Sequence, residues 1–103
     1  MGPSVYLLKT VDDNRTLYKI GYTKKSIYSR IRSLQTGCPR RIELCEVFES
    51  GHARKIEIAL HNIFSSKQTN GEWFELDFLD ELNFKPMCEK MEKTQDILTA
   101  CIF

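Results

Sequence analysis

An α+β fold, with a small, mostly antiparallel sheet of three strands flanked by helices, is predicted by three features of the chain. Two short aromatic and β-branched runs, "SVYLLK" and "TLYKIGY", lie either side of "VDDNR", a segment rich in turn formers, and this reads as a β-hairpin. Two later stretches carry apolar residues at helical spacing. Between them "RIELCEVFE" reads as one more strand. The resulting order is β-β-α-β-α, followed by helical material.

Each element has local reasons. Gly21 ends the second strand. Ser26 suits the N-cap of a helix running to about Gln35, with Ile27, Ile31 and Leu34 on its apolar stripe. Gly37 suits its C-cap, and Pro39 cannot continue it. Ser50-Gly51 lead into "HARKIEIALHNIFSS", an amphipathic helix with Ile56, Leu60, Ile63 and Phe64 on one side. "KQTNG" reads as a loop and "EWFEL" as a short extended segment. The remainder reads as helical but interrupted near Pro86.

Length bounds the rest. At 103 residues the chain holds one domain with a single modest core. Its 42% hydrophobic and 28% charged residues are ordinary for a folded protein. No apolar run approaches a membrane span, and "VYLL" is too short for a signal-peptide core, which together imply an intracellular protein. Cys38, Cys45, Cys88 and Cys101 have no zinc-binding spacing, so they are expected to be reduced thiols, most of them buried.

Net charge of +1 conceals a division. Residues 1–67 hold twelve Lys/Arg against six Asp/Glu, whereas residues 68–103 hold three against eight. Such a split suits a basic working face beside an acidic C-terminal helix, although a merely solvated surface has the same composition.

Helical geometry then places candidates. At 100° per residue Arg30 sits at the edge of the first helix's apolar stripe, while Arg32 points to solvent. Glu57 lies at the rim of the second helix's apolar face, and His61 follows one turn later. A hairpin register pairing Tyr6 with Lys19 puts both on one face of the sheet. Singly, each has a bland explanation, since rim charges are usually solvated and hairpin tyrosines usually belong to the core. The constellation carries the signal.

"SVYLL", "YKIGYT", Arg30, "KIEIALH" and "GEWFEL", in this order, resemble the GIY-YIG nuclease superfamily, especially its phage and large-DNA-virus branch. The resemblance covers Ser4 to Leu76. It implies a nuclease domain over residues 1–76 and an acidic helical extension over 77–103 packed on it. It matches Tyr6 to the tyrosine of the first motif and Ile20-Gly21 to the close of the second. Lys19 stands where many members have tyrosine, Arg30 matches the helix arginine, and Glu57 matches the single metal-binding glutamate. The Glu57-x-x-x-His61 pair and "GEWF" resemble the phage-type branch, while Ser4 replaces the first motif's glycine.

The resemblance implies a metal-dependent endonuclease that hydrolyses phosphodiester bonds in DNA, with RNA left open. One Mg²⁺ or Mn²⁺ would be held by Glu57, with waters and phosphate oxygens as its other ligands. Tyr6 would act as general base, its phenolate favoured by the Lys19 ammonium. Arg30 would clamp the phosphate through its fork of donors. Tyr22 and His61 would relay protons or position groups. In "LYKIGYTKK", Lys19 and Tyr22 would face the scissile phosphate, Gly21 would permit close backbone approach, and Lys24 and Lys25 would meet flanking phosphates. Arg40 and Arg41 would add backbone contacts. Two other readings stand beside this one. The first is a binding module of the same fold that cuts little. The second is an interaction domain whose acidic C-terminal helix docks a partner or a second copy.

Overall fold

The computed structural model describes residues 2–101. β1 (Ser4–Asp12) and β2 (Arg15–Thr23) form the hairpin, followed by α1 (Ile27–Thr36), β3 (Glu43–Glu49) and α2 (Ala53–Ile63). A 3₁₀ turn (Ser65–Lys67) leads to β4 (Gln68–Asn70), β5 (Trp73–Phe74) and α3 (Phe78–Ala100). The sheet order is β3-β1-β2-β5-β4, and every neighbouring pair is antiparallel.

The hairpin closes on Asp13 and Asn14, both with positive φ (48° and 67°). This is the two-residue turn whose twist matches that of the strands, and Asp and Asn tolerate its left-handed backbone. α1 starts as its sequence suggests: the Ser26 hydroxyl accepts from the Tyr28 N–H, and Gly37 forms the C-cap.

Alternation along β1 and β2 divides the interior into two layers. Val5, Leu7, Tyr18 and Ile20 face α2 and α3, packing with Ile56, Leu60, Phe64, Phe74, Phe84 and Cys88. Tyr6 and Leu8 face the other way, toward Ile27, Ile31 and Leu34 of α1 and toward Ile42. The central strands are therefore covered on both faces, and β1 is buried continuously from Ser4 to Leu8.

Several expectations are corrected. The sheet has five strands rather than three, because "KQTNG" and "EWFEL" supply β4 and β5 around Gly71 (φ 58°). Tyr6 pairs with Gly21, and Lys19 pairs with Leu8. The shift is two residues, so Tyr6 and Lys19 still share a face. α3 runs through Pro86 without a break. Proline there deprives the Leu82 carbonyl of its helical donor, but both residues are exposed and water can take that place. A reciprocal capping box between Asp77 and Asp80 starts the helix. Ile63 is exposed, while Glu57 is buried at 3% exposure. The inward arc of α2 runs through Ala53, Ile56, Glu57 and Leu60. Of the four free thiols only Cys88 is fully buried, and burial pushes it up to about 12. No helix among the described residues is long and apolar enough to cross a membrane.

Candidate active site at the edge of β2

β5 pairs with β2 only at Tyr18 and Lys19. Beyond that point a single backbone bond, Ile20 N–H to the Glu72 carbonyl (3.3 Å), continues the contact. The outer edge of β2 is thus open from Gly21 onward, and side chains from the two faces of the sheet approach one another around it.

From the α1 side come Tyr6, Arg30 and Lys19. The Tyr6 ring is wholly buried, and its hydroxyl accepts a hydrogen bond from Arg30 Nε at 3.2 Å. Gly21 makes room for it: a Cβ on Gly21 would lie 2.2 Å from that hydroxyl. The glycine is therefore required by the tyrosine packed over it. Arg30 is half-buried and Arg32 exposed, in keeping with the helix phase read from the sequence.

From the α2 side come Glu57 and His61. Glu57 Oε1 is contacted by the Arg54 guanidinium one turn earlier, and its Oε2 lies 3.9 Å from His61 Nε2. His61 Nε2 lies 2.8 Å from the Ile20 carbonyl. Its ring meets Phe74 edge-on at 4.9 Å.

Glu72, in the turn between β4 and β5, joins the two sides. Its Oε1 is 2.9 Å from Lys19 Nζ, which also lies 5.5 Å from the centre of the Trp73 ring. Glu57, His61 and Glu72 each offer one ligand atom within 4.8 Å of the others, in a cleft of about 330 Å³ that also involves Arg54 and Asn62. The sequence reading passed over Glu72 and Arg54. Glu72 lay inside the quoted "GEWF", but nothing local distinguishes its carboxylate from other loop acids.

Electrostatics follow this arrangement. Burial raises the Tyr6 pKa above the usual phenol value, Arg30 opposes the rise, and the carboxylates of Glu72 and Glu57 add to it. Lys19, expected to favour the phenolate, is instead tied to Glu72, and the cation at the Tyr6 oxygen is Arg30. The hydrogen bond to Tyr6 in turn raises the Arg30 pKa, so the guanidinium stays charged.

The remaining candidates are dispersed. Tyr22 lies three residues from Lys19 and so faces the opposite side; its ring sits 5.9 Å from the Arg54 guanidinium. Lys19 and Tyr22 therefore project from opposite faces of the sheet, Tyr22 on the side of Arg54 and Glu57. Tyr18 donates to Glu81 of α3 at 2.7 Å, on the far side from Tyr6. Lys24 and Lys25 are exposed, directly after the open end of β2, and form no ion pair among the described residues. Arg40 pairs with Asp12 at the hairpin tip (2.8 Å), with exposed Arg41 beside it. Asp12 lies six positions along β1 from Tyr6, roughly 20 Å. The four basic residues thus make two separate patches.

A family model described as the T5orf172 domain matches residues 4–93. The chain belongs to the T5orf172 domain family. That domain is phage-associated and related to GIY-YIG and HNH-type nucleases. The match takes in β1 through most of α3, including Tyr6, Arg30, Glu57 and Glu72. No curated protein and no solved structure matches the chain.

Proposed function

We propose that this T5orf172 domain is a metal-dependent endonuclease of GIY-YIG type that hydrolyses phosphodiester bonds in DNA. The observation that carries this reading is the meeting of Tyr6 and Arg30 from one face of the sheet with Glu57 from the other at the open edge of β2. A phosphodiesterase needs a group that takes a proton from water, a cation for the phosphoryl oxygens and a place for a metal.

The donor set fits a divalent cation. Glu57 presents a buried carboxylate, with His61 and Glu72 within reach of the same point, so Glu57 is the principal residue to hold it. A bound Mg²⁺ or Mn²⁺ supplies Lewis acidity and a more acidic water. Tyr6 accepts the proton of the attacking water. Its raised pKa keeps the phenol protonated at rest, so it must first give its own proton to solvent, a loss that burial opposes and that Arg30 at its oxygen favours. Arg30, charged and already at the Tyr6 oxygen, directs its remaining N–H groups to the non-bridging phosphate oxygens. Lys24 and Lys25, exposed directly after β2, are the candidates to meet flanking phosphates, and such backbone contacts give affinity without sequence.

A second reading has its own support. Arg54 already contacts the Glu57 carboxylate and Glu72 already holds Lys19, which suits a domain that binds nucleic acid without cutting it. Supercoiled plasmid and single-stranded DNA incubated with Mg²⁺, Mn²⁺ or EDTA separate the two. The nuclease reading expects nicking that needs metal and is abolished by Glu57→Gln. DNA binding with no cleavage in either metal would replace it with the second reading.

A further inference from the structure

Glu57, His61 and Glu72 gather more ligand atoms than a single-glutamate site needs. The three atoms, two carboxylate oxygens and one imidazole nitrogen, lie within 4.8 Å of one another in the same cleft. Such a set can close on one ion, because ligand atoms about 2 Å from a shared metal are themselves roughly 3–4 Å apart.

Two further observations separate this cluster from a chance meeting of surface acids. The first is burial. Glu57 is 3% exposed, and a carboxylate taken out of water needs a cation beside it. Its present cation is Arg54, whose side chain is 63% exposed. The Oε2 that Arg54 leaves is the oxygen 3.9 Å from His61. The second is the imidazole itself. His61 Nε2 lies 3.9 Å from Glu57 Oε2, so a nitrogen donor stands beside the carboxylate oxygen that Arg54 leaves. To ligate an ion it gives up its hydrogen bond to the Ile20 carbonyl (2.8 Å), the ring proton moving to Nδ1.

We propose that Glu57, His61 and Glu72 together form a three-ligand site for a first-row transition ion, binding Mn²⁺ in preference to Mg²⁺. Mg²⁺ favours oxygen ligands and retains its waters, whereas an imidazole nitrogen suits the transition ions. Glu72 is held by Lys19 at 2.9 Å, so the ion binds in competition with that pair. Once Glu72 turns to the ion, the Lys19 ammonium is released. This inference rests on the metal-dependent reading only in taking the cleft to accept a cation; the identity of the ligands and the choice of ion are additional to it.

The test needs no nucleic acid. Free Mn²⁺ is followed by its electron paramagnetic resonance signal as the full chain is titrated, with Mg²⁺ as competitor and thermal unfolding as a check on folding. The native chain should take up one Mn²⁺ that equimolar Mg²⁺ does not displace. Glu72→Gln should weaken Mn²⁺ binding by roughly tenfold or more, and His61→Gln should narrow the margin between Mn²⁺ and Mg²⁺. Mn²⁺ binding unchanged in both folded variants, equal affinity for the two ions in the native chain, or no uptake at millimolar Mn²⁺ would each overturn the three-ligand site. Mn²⁺ bound as expected without DNA cleavage would sink the nuclease reading and leave this one standing. Cleavage that persists while both variants bind Mn²⁺ normally would do the reverse.

Discussion

The hydroxyl of Tyr6 occupies the space that a side chain on Gly21 would need: the two residues are direct cross-strand partners, and a Cβ on Gly21 would stand 2.2 Å from the oxygen and 2.3 Å from the ring carbon bearing it. The tyrosine is fully buried, so its ring has no empty space to enter. One glycine thereby fixes where the Tyr6 oxygen meets Arg30.

Gly21→Ala should therefore destabilise the fold by about 1–3 kcal/mol, the usual cost of overpacking a core, and should also displace the hydroxyl. Thermal unfolding measures the first effect. In a Tyr6→Leu background, where the phenol is gone, adding Gly21→Ala should cost much less. Equal costs in the two backgrounds would mean that the close approach does not restrain Tyr6.

Arg30→Lys keeps a positive charge but loses the Nε donor that meets Tyr6 at 3.2 Å. A charge-assisted hydrogen bond contributes roughly 1.5–3 kcal/mol, so cleavage should slow by about ten- to a hundredfold. Arg32→Lys, at an exposed position of the same helix, should leave the rate nearly unchanged. Comparable rates for the two variants would remove Arg30 from the site.

Asp80 ties the start of α3 to the 3₁₀ turn. It accepts from Lys67 Nζ at 2.7 Å and from the Asp77 N–H at 3.0 Å. Burial by itself raises its pKa, but the hydrogen bonds from Lys67 and from the Asp77 backbone outweigh burial and bring it below the ordinary value. The ionised form is thus stabilised by folding. That contribution is present above the unfolded value, about 4, and is lost as pH falls through the lower folded one. Asp80→Asn should cost about 1 kcal/mol at neutral pH. The difference in melting temperature from the native chain should close as pH drops below about 4. A difference independent of pH would show that the charge of Asp80 contributes nothing.

Much of the framework was legible because its causes are local. The turn formers around Asp13 and Asn14, the Ser26 cap, Gly37 and the apolar spacing of α1 act within a few residues of themselves, and the structure agrees with each. The face shared by Tyr6 and Lys19 was legible for a related reason. The hairpin register differs from the expected one by two residues, and a shift of two preserves which side of a strand a residue occupies.

What the sequence alone could not determine depends on partners distant along the chain. β4 and β5 have three and two residues, too few for any alternation to register, and they become strands only because the edge of β2 at Tyr18 and Lys19 receives them. Pro86 reads as a helix breaker until the exposure of Leu82 lets solvent satisfy the freed carbonyl. Helix periodicity favoured Ile63 over Glu57 as an inward residue, yet the open sheet edge beside α2 takes Glu57 inside, next to Arg54 and His61. Lys19 was expected beside Tyr6, but the turn carrying Glu72 brings a carboxylate to it instead. The sequence by itself determined the kinds of side chain present and the face each occupies, because periodicity is a local property of the backbone. Only the tertiary structure decided which charges meet, because their distances are set by how the β4–β5 turn and α2 pack around the edge of β2.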